Sequence, residues 1–383
     1  MFLVCPQTAK HQNTLVEVNV IPTLNLLMCT PNENVQLPAL QCLSCLVFNN
    51  EDAALQVSRS MYNGRHLIGD IVALIERNRG TEMQLAGAKC LTYMCRCGII
   101  DDRNPTILFK VLPCLVSCVE SHNAMIIFCC YNAFFFPKIR LTKTNESVAT
   151  RIEAADTLTV LIETSSELQS IAAISNHLIP SMTSFLSWAA SSSECKQVAH
   201  PLCSGLVPGN HTVNHEFLQR HSASHAASNS MKSAAFKVFS ALGANDEEIR
   251  KRIAETENLM PSLVAALDDP EPELRKSAIR FLLSLSRSVQ LLRTTFQDHP
   301  MWKPLLNILT NPSTPVDIML LASSAMCNLL LEFSPSKELI LENGAVNLLC
   351  ELTRKKESDL RLNGVWGLMV SNSTPFRPFP ISM

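Results

Sequence analysis

The densest set of chemically capable residues is a run of five histidines, His200, His211, His215, His221 and His225, with Cys195 and Cys203 beside them. His211 and His215, and again His221 and His225, stand four apart, a spacing that puts two imidazoles on one helix face and suits zinc. The Ser, Ala, Gly and Pro residues around them argue for a loop without the fixed geometry that a metal or a Cys-His pair needs. Cys42 and Cys45 have zinc-knuckle spacing, yet with Cys90 and Cys95 they fall on an apolar helical face, where free cysteine packs as a small hydrophobe. Gly64 and Gly69 have P-loop spacing, but Asp70 and Ile71 stand where Lys and Ser/Thr are required. Neither G-x-S-x-G nor H-E-x-x-H occurs. The sequence therefore predicts no catalytic residue, no metal site and no cofactor, and a protein that is not an enzyme.

Composition narrows the elements that could position anything. Only 11 of 383 residues are glycine, well under the average of about 7%, which disfavours hairpin-rich and phosphate-cradling folds and leaves a helical protein unhindered. Hydrophobic residues make up 47% and charged residues 17%, with a net charge of -2, so there is a core to bury and no field suited to nucleic acid. The segment Met1-Phe-Leu-Val-Cys-Pro6 lacks the basic start of a signal peptide, and the apolar run Met125–Phe136 is too short to insert in a membrane. Fifteen cysteines without a leader are expected to be reduced thiols of a cytoplasmic and nuclear protein.

Self-similarity supplies the architecture. A small residue followed by large apolar residues four and seven positions later recurs as Ala39/Leu43/Leu46, Gly87/Leu91/Met94, Ala154/Leu158/Leu161, Ala235/Phe239/Leu242, Ala278/Leu282/Leu285 and Ala322/Met326/Leu329, with Gly364/Leu368 as a seventh, shortened copy. That spacing occupies one helix face, with the small residue where a second helix crosses closely. The small residues lie 48, 67, 81, 43, 44 and 42 apart. A second element, proline after two apolar residues, occurs at Pro22, Pro113, Pro180 and Pro261, more loosely at Pro304, and marks helix starts. The unit reads as helix, short link, helix. The two long intervals place insertions at about 121–146 and 188–229, read as loops or disordered, within one solenoid over residues 1–370 followed by an irregular tail, 371–383.

A repeat of this length, with Gly344-Ala-Val-Asn-Leu-Leu349 opening one helix and Ala322-Ser-Ser-Ala-Met-Cys-Asn-Leu329 on another, resembles the armadillo repeat. The resemblance implies an all-α, right-handed superhelical solenoid, here of about seven repeats. Longer stretches, Glu82–Arg96, Ser240–Arg250, Ser286–Gln290, Phe296–His299 and Cys327–Lys337, are similar to the armadillo subunits of the CTLH (C-terminal to LisH) E3 ubiquitin ligases, equivalent to the yeast GID complex. This similarity runs from about residue 10 to 369, outside the insertions. It implies a non-catalytic scaffold for ubiquitin-dependent degradation, with RING-type and LisH-containing subunits, a substrate receptor and α-catenin-like proteins as partners. A general armadillo adaptor outside the ubiquitin system, catenin- or transport-related, is the alternative. The chain departs from the family pattern by starting in mid-repeat, by losing periodicity from Ser371, and by the Phe- and Cys-rich stretch Met125–Asn145. That stretch reads as a gene-model artefact such as translated intron, with a docking loop as its alternative.

Armadillo domains that bind extended peptides repeat a Trp and, four residues later, an Asn along a concave groove. The matching pairs here are Gln41/Cys45, Lys89/Tyr93, Asp156/Val160, Lys237/Ala241, Arg280/Ser284, Ser324/Asn328 and Trp366/Val370. One Asn and one Trp survive, in different repeats, which disfavours a nuclear-import peptide ladder. Lys89, Lys237 and Arg280, with Arg275 and Arg361 on the same helices, form a basic track suited to an acidic partner segment. The groove residues expected to bind protein are Lys89, Tyr93, Lys237, Arg280, Asn328 and Trp366.

Overall fold

The computed structural model describes residues 9–76, 79–120, 147–175, 177–188 and 212–372. The chain divides into two compact units, Met1–Met231 and Lys232–Met383. The first holds α1 (Ala9–Glu17), α2 (Val20–Met28), α3 (Glu33–Val47), α4 (Glu51–Arg59), a short hairpin of β1 (Met61–Tyr62) and β2 (Arg65–His66), α5 (Leu67–Leu74), α6 (Thr81–Arg96), a π-turn (Ile107–Val111), α7 (Leu112–Val119), α8 (Val148–Ile162), α9 (Ser166–Ile174) and α10 (Leu178–Leu186). The unit boundary falls within α11 (Thr212–Leu242). The second unit continues with α12 (Glu247–Ala254), α13 (Leu259–Leu267), α14 (Pro272–Leu285), α15 (Val289–Arg293), α16 (Thr295–Asp298), α17 (Trp302–Thr310), α18 (Val316–Leu329), α19 (Lys337–Glu342), α20 (Ala345–Leu352) and α21 (Ser358–Ser371).

The local signals act as their chemistry dictates. Pro22, Pro180, Pro261 and Pro304 lie in the first turn of a helix, where no backbone donor is needed, whereas Pro113 follows the π-turn Ile107–Val111 directly, as the second residue of α7. In unit 1 the long helices α3, α6 and α8 stack in succession, and α2, α5 and α7 pack beside them. In unit 2 the long helices α14, α18 and α21 stack likewise, backed by α13, α17 and α20. Each small residue of the repeat is buried at a crossing, and Leu43, Leu91, Leu158, Phe239, Leu282 and Met326 beside them are wholly buried. A fully buried side chain of this size contributes roughly 1.5–3 kcal/mol, so each unit is held by a continuous apolar spine rather than by its termini. Phe236 and Phe239 of α11 stack on Phe281 of α14 at 5.8 and 5.6 Å between centroids. In unit 1, Arg151 of α8 lies over the Phe185 ring at 4.6 Å and donates to the Val119 carbonyl, tying α8 to α7 and α10.

The observed repeat differs from the two-helix reading by a short leading helix: α1, α4, α9, α12, α15 and α19. These run five to nine residues, too few for apolar periodicity to register. Their signal is a cap: Asn50, Ser165, Asp246 and Ser288 each accept a backbone N–H of the following turn, ten or eleven residues after the small residue of the preceding helix. Gly344 precedes α20 with φ of 86°, and Asn19 and Asn258 hold the same left-handed conformation before α2 and α13. Asparagine fills that position because its short polar side chain tolerates it.

The second insertion is corrected in part. Residues 212–229, read as loop, belong to α11. The stretch Thr212–Leu242 contains no Pro or Gly, and the Pro and Gly residues that argued for a loop, Pro201, Gly205, Pro208 and Gly209, all precede it. The remainder of that insertion, residues 121–146 of the first, and the tail from 373 lie outside the described residues.

Candidate functional site

The long helices present two faces, one in each unit. In unit 1 the ladder positions lie on α3, α6 and α8. Lys89 and Tyr93 are one turn apart on α6 and face each other electrostatically. Lys89 Nζ donates to Glu153 Oε1 of α8 at 2.6 Å. Burial works against its charge, but the hydrogen bond and field of Glu153 hold the ammonium above the ordinary lysine value. Lys89 is therefore committed to a carboxylate of the next repeat, which removes it from the basic track. Tyr93 packs edge-on to Phe48, centroids 4.8 Å apart. Arg96, one turn further along α6, lies 3.6 Å from Glu163 at the end of α8.

In unit 2, Lys237 on α11 is half-buried and Arg280 on α14 is exposed. These helices are stitched by serines: Ser233 to Ser277 at 2.8 Å, Ser240 Oγ donating to the Arg280 carbonyl, and Ser284 Oγ donating to the Ser240 carbonyl, both at 3.2 Å. Asn328 on α18 donates its amide to Ser286 Oγ at 2.9 Å, so it braces the neighbouring repeat. Trp366 on α21 is 51% exposed and shares an apolar stripe with Leu362, Val365 and Met369. Of the accompanying arginines, Arg275 is half-buried, while Arg361 turns back to donate to the Lys355 and Lys356 carbonyls at 3.1 and 2.5 Å. The ladder positions thus fall on the stacked long helices, while their partners are set by neighbours in adjacent repeats. Phe48, at the C-terminal cap of α3, is missed because it lies three residues past the ladder position Cys45.

The other candidates resolve as follows. Cys42, Cys90 and Cys95 are buried in the repeat core; burial pushes the Cys90 thiol up to about 12. Gly64 follows Asn63 in the β1–β2 turn, both at positive φ, the primed geometry of an Asn-Gly hairpin. His200 and His211 lie outside the described residues, as do Cys195 and Cys203. His215, His221 and His225 fall on α11, where His225 is exposed with Nδ1 3.4 Å from Asn229 Nδ2. Among the described residues no three metal-ligating side chains converge, and no helix is long and apolar enough to cross a membrane.

No family model matches the chain. Among solved structures, a designed armadillo repeat protein gives a TM-score of 0.48 at 13% identity, covering 92% of this chain and all of that one. Armadillo repeat-containing protein 8 of Danio rerio is 37% identical over 369 residues, and that of Mus musculus is 38% identical over the same length, in each case 96% of this chain and 48% of the relative. GID complex subunit 5 of Schizosaccharomyces pombe is 39% identical over 128 residues, 33% of this chain and 16% of that protein. The chain spans about half the length of the vertebrate relatives it matches. With its stacked long helices, proline-started second helices and capped short first helices, the chain is an all-α armadillo-type repeat protein, similar over 96% of its length to armadillo repeat-containing protein 8, of which it spans 48%.

Proposed function

We propose that this protein is a non-catalytic scaffold subunit of a CTLH-type E3 ubiquitin ligase, supporting ubiquitin-dependent protein degradation in the cytoplasm and nucleus. The observation that carries the reading is the similarity over 128 residues to a protein named GID complex subunit 5, within a longer similarity that covers nearly all of the chain. The partners are the RING-type and LisH-containing subunits, a substrate receptor and α-catenin-like proteins. The mechanism is geometric: a scaffold that holds two proteins at once raises the concentration each experiences of the other. On unit 2, Lys237 and Arg280, with Asn328 and Trp366 on the following helices, dock an acidic partner segment through charge-assisted hydrogen bonds.

Affinity purification of the full chain followed by mass spectrometry tests the assignment. Recovery of RING-type and LisH-containing proteins is expected, and their absence alongside other reproducible partners would remove the ligase reading. Lys237→Glu with Arg280→Glu is expected to lower partner recovery several-fold; unchanged recovery would remove the docking role of that face.

A further inference from the structure

The long-helix face of unit 1 carries one residue of the expected basic track, Lys89, and more carboxylates than cations. Tyr93 sits at its centre, with the Phe48 ring at an interplanar angle of 62°. Phe48 is 41% exposed, on a backbone whose carbonyl accepts a hydrogen bond from Gln12 Nε2 at 3.0 Å. The aromatic pair is therefore both presented and fixed. Around it, Lys89 is engaged by Glu153, and burial first, then the fields of Cys45, Glu153 and Asp156, hold the Tyr93 phenol above its ordinary value despite Lys89. One turn beyond, Arg96, Glu163, Asp101 and Asp102 line a cavity of 570 Å³. Asp102 accepts a hydrogen bond from Ser165, which together with Arg103 keeps it ionised, while Arg103 itself pairs with Glu167 at 2.8 Å. Across the face, Lys89, Arg96 and Arg103 stand against Glu153, Asp156, Glu163, Glu167, Asp101 and Asp102.

We propose that this face docks an arginine-bearing segment of a partner protein, with one guanidinium stacked on Phe48 and Tyr93 and a second drawn into the Asp101–Asp102 cavity. A planar guanidinium can lie on an aromatic face and fork to a carboxylate, and it is more weakly hydrated than an ammonium. An acidic segment meets like charge across the same surface, so the sign of the field selects the partner. The inference rests on the chain being a partner-binding scaffold but not on membership in a ligase. A purification that recovers no ligase subunit would leave it standing.

The test is fluorescence anisotropy of labelled hexa-arginine, hexa-lysine and hexa-glutamate peptides with the full chain at physiological ionic strength. Hexa-arginine is expected to bind, hexa-lysine several-fold more weakly, and hexa-glutamate not at all. Tyr93→Leu and Asp156→Asn are each expected to weaken hexa-arginine binding by about 3- to 10-fold, the range of one cation–π contact or one charge-assisted contact. Failure of hexa-arginine to bind, equal binding of hexa-lysine, or unchanged binding by both variants would overturn the proposal. Melting curves separate site loss from unfolding, and the conservative Asp156→Asn keeps the test decisive if Tyr93→Leu does not fold.

Discussion

Arg250→Met should destabilise unit 2 by about 2–4 kcal/mol. Arg250 on α12 is 8% exposed and donates to the Gly243 carbonyl at 2.8 Å, the Ala244 carbonyl at 3.4 Å, and Glu247 Oε2 from Nη2 at 2.8 Å and Nε at 3.2 Å. Glu247 in turn accepts a hydrogen bond from Ser288 Oγ, whose oxygen caps α15 by accepting from Leu291 N. One guanidinium thus joins the end of α11, the start of α12 and the cap of α15. Methionine preserves the packed stem but strands the buried Gly243 carbonyl, at roughly 1–3 kcal/mol, and removes hydrogen bonds made by a charged group, at roughly 1.5–3 kcal/mol. The larger cost of stranding a buried ion does not apply, because the Glu247 side chain is 44% exposed and can be re-solvated. Urea unfolding in a Trp188→Phe background, followed by the fluorescence of Trp302 and Trp366, reports unit 2. The pH dependence supplies a second reading. Burial raises the Glu247 carboxyl, but hydrogen bonds from Ser288 and Arg250 and the Arg250 charge outweigh it and hold the group below its usual value of 4.5. Its contribution is present above about pH 4.5 and lost as pH falls through the lower folded value, and Arg250→Met should flatten that acid limb. A loss under about 0.5 kcal/mol at pH 7, or an acid limb unchanged by the substitution, would refute the reasoning.

Glycine substitutions should separate by environment. Gly69→Ala in α5, with open space around its Cβ, should raise unit 1 stability by up to about 1 kcal/mol, whereas Gly364→Ala would set a methyl 2.8 Å from Thr353 N and should cost about 1–3 kcal/mol, both read by thermal melting. At the left-handed position Asn258, φ 60°, Asn258→Ala should cost about 1 kcal/mol and Asn258→Gly should be near neutral, a contrast urea titration would show. Because burial raises Cys90 to about 12 from 9.0, its native alkylation at pH 8, followed by peptide mass spectrometry, should run about a thousand-fold slower than that of an ordinary thiol. Lys89, held above 10.5 by Glu153 against burial, stabilises the fold below the unfolded value and loses that contribution as pH rises through the folded one; Glu153→Gln should abolish this alkaline limb in melts taken across pH 9–12.

Much of the fold was legible because its signals are local. A proline in a first turn and a small residue four and seven positions before large apolar ones each act within a few residues, so reading along the chain recovers two helices of each repeat and their phase. The absence of a phosphate loop was legible for the same reason, since Asp70 and Ile71 lack the needed groups whatever the fold. The short first helices were less legible, being one or two turns long and marked only by Asn50, Ser165, Asp246 and Ser288.

What tertiary structure alone decided is which charges remain to do work. Lys89 reads as a binding cation until α8 stacks on α6 and brings Glu153, 64 residues away, to 2.6 Å. Phe48 is an unremarked helix end until Tyr93 of the next repeat meets its ring. Such pairings depend on the register between stacked helices and on links of unequal length. The sequence by itself determined a helical repeat with a buried spine; the stacking decided that the long-helix face of unit 1 is acidic, because each repeat presents its charges to its neighbour before it presents them to a partner.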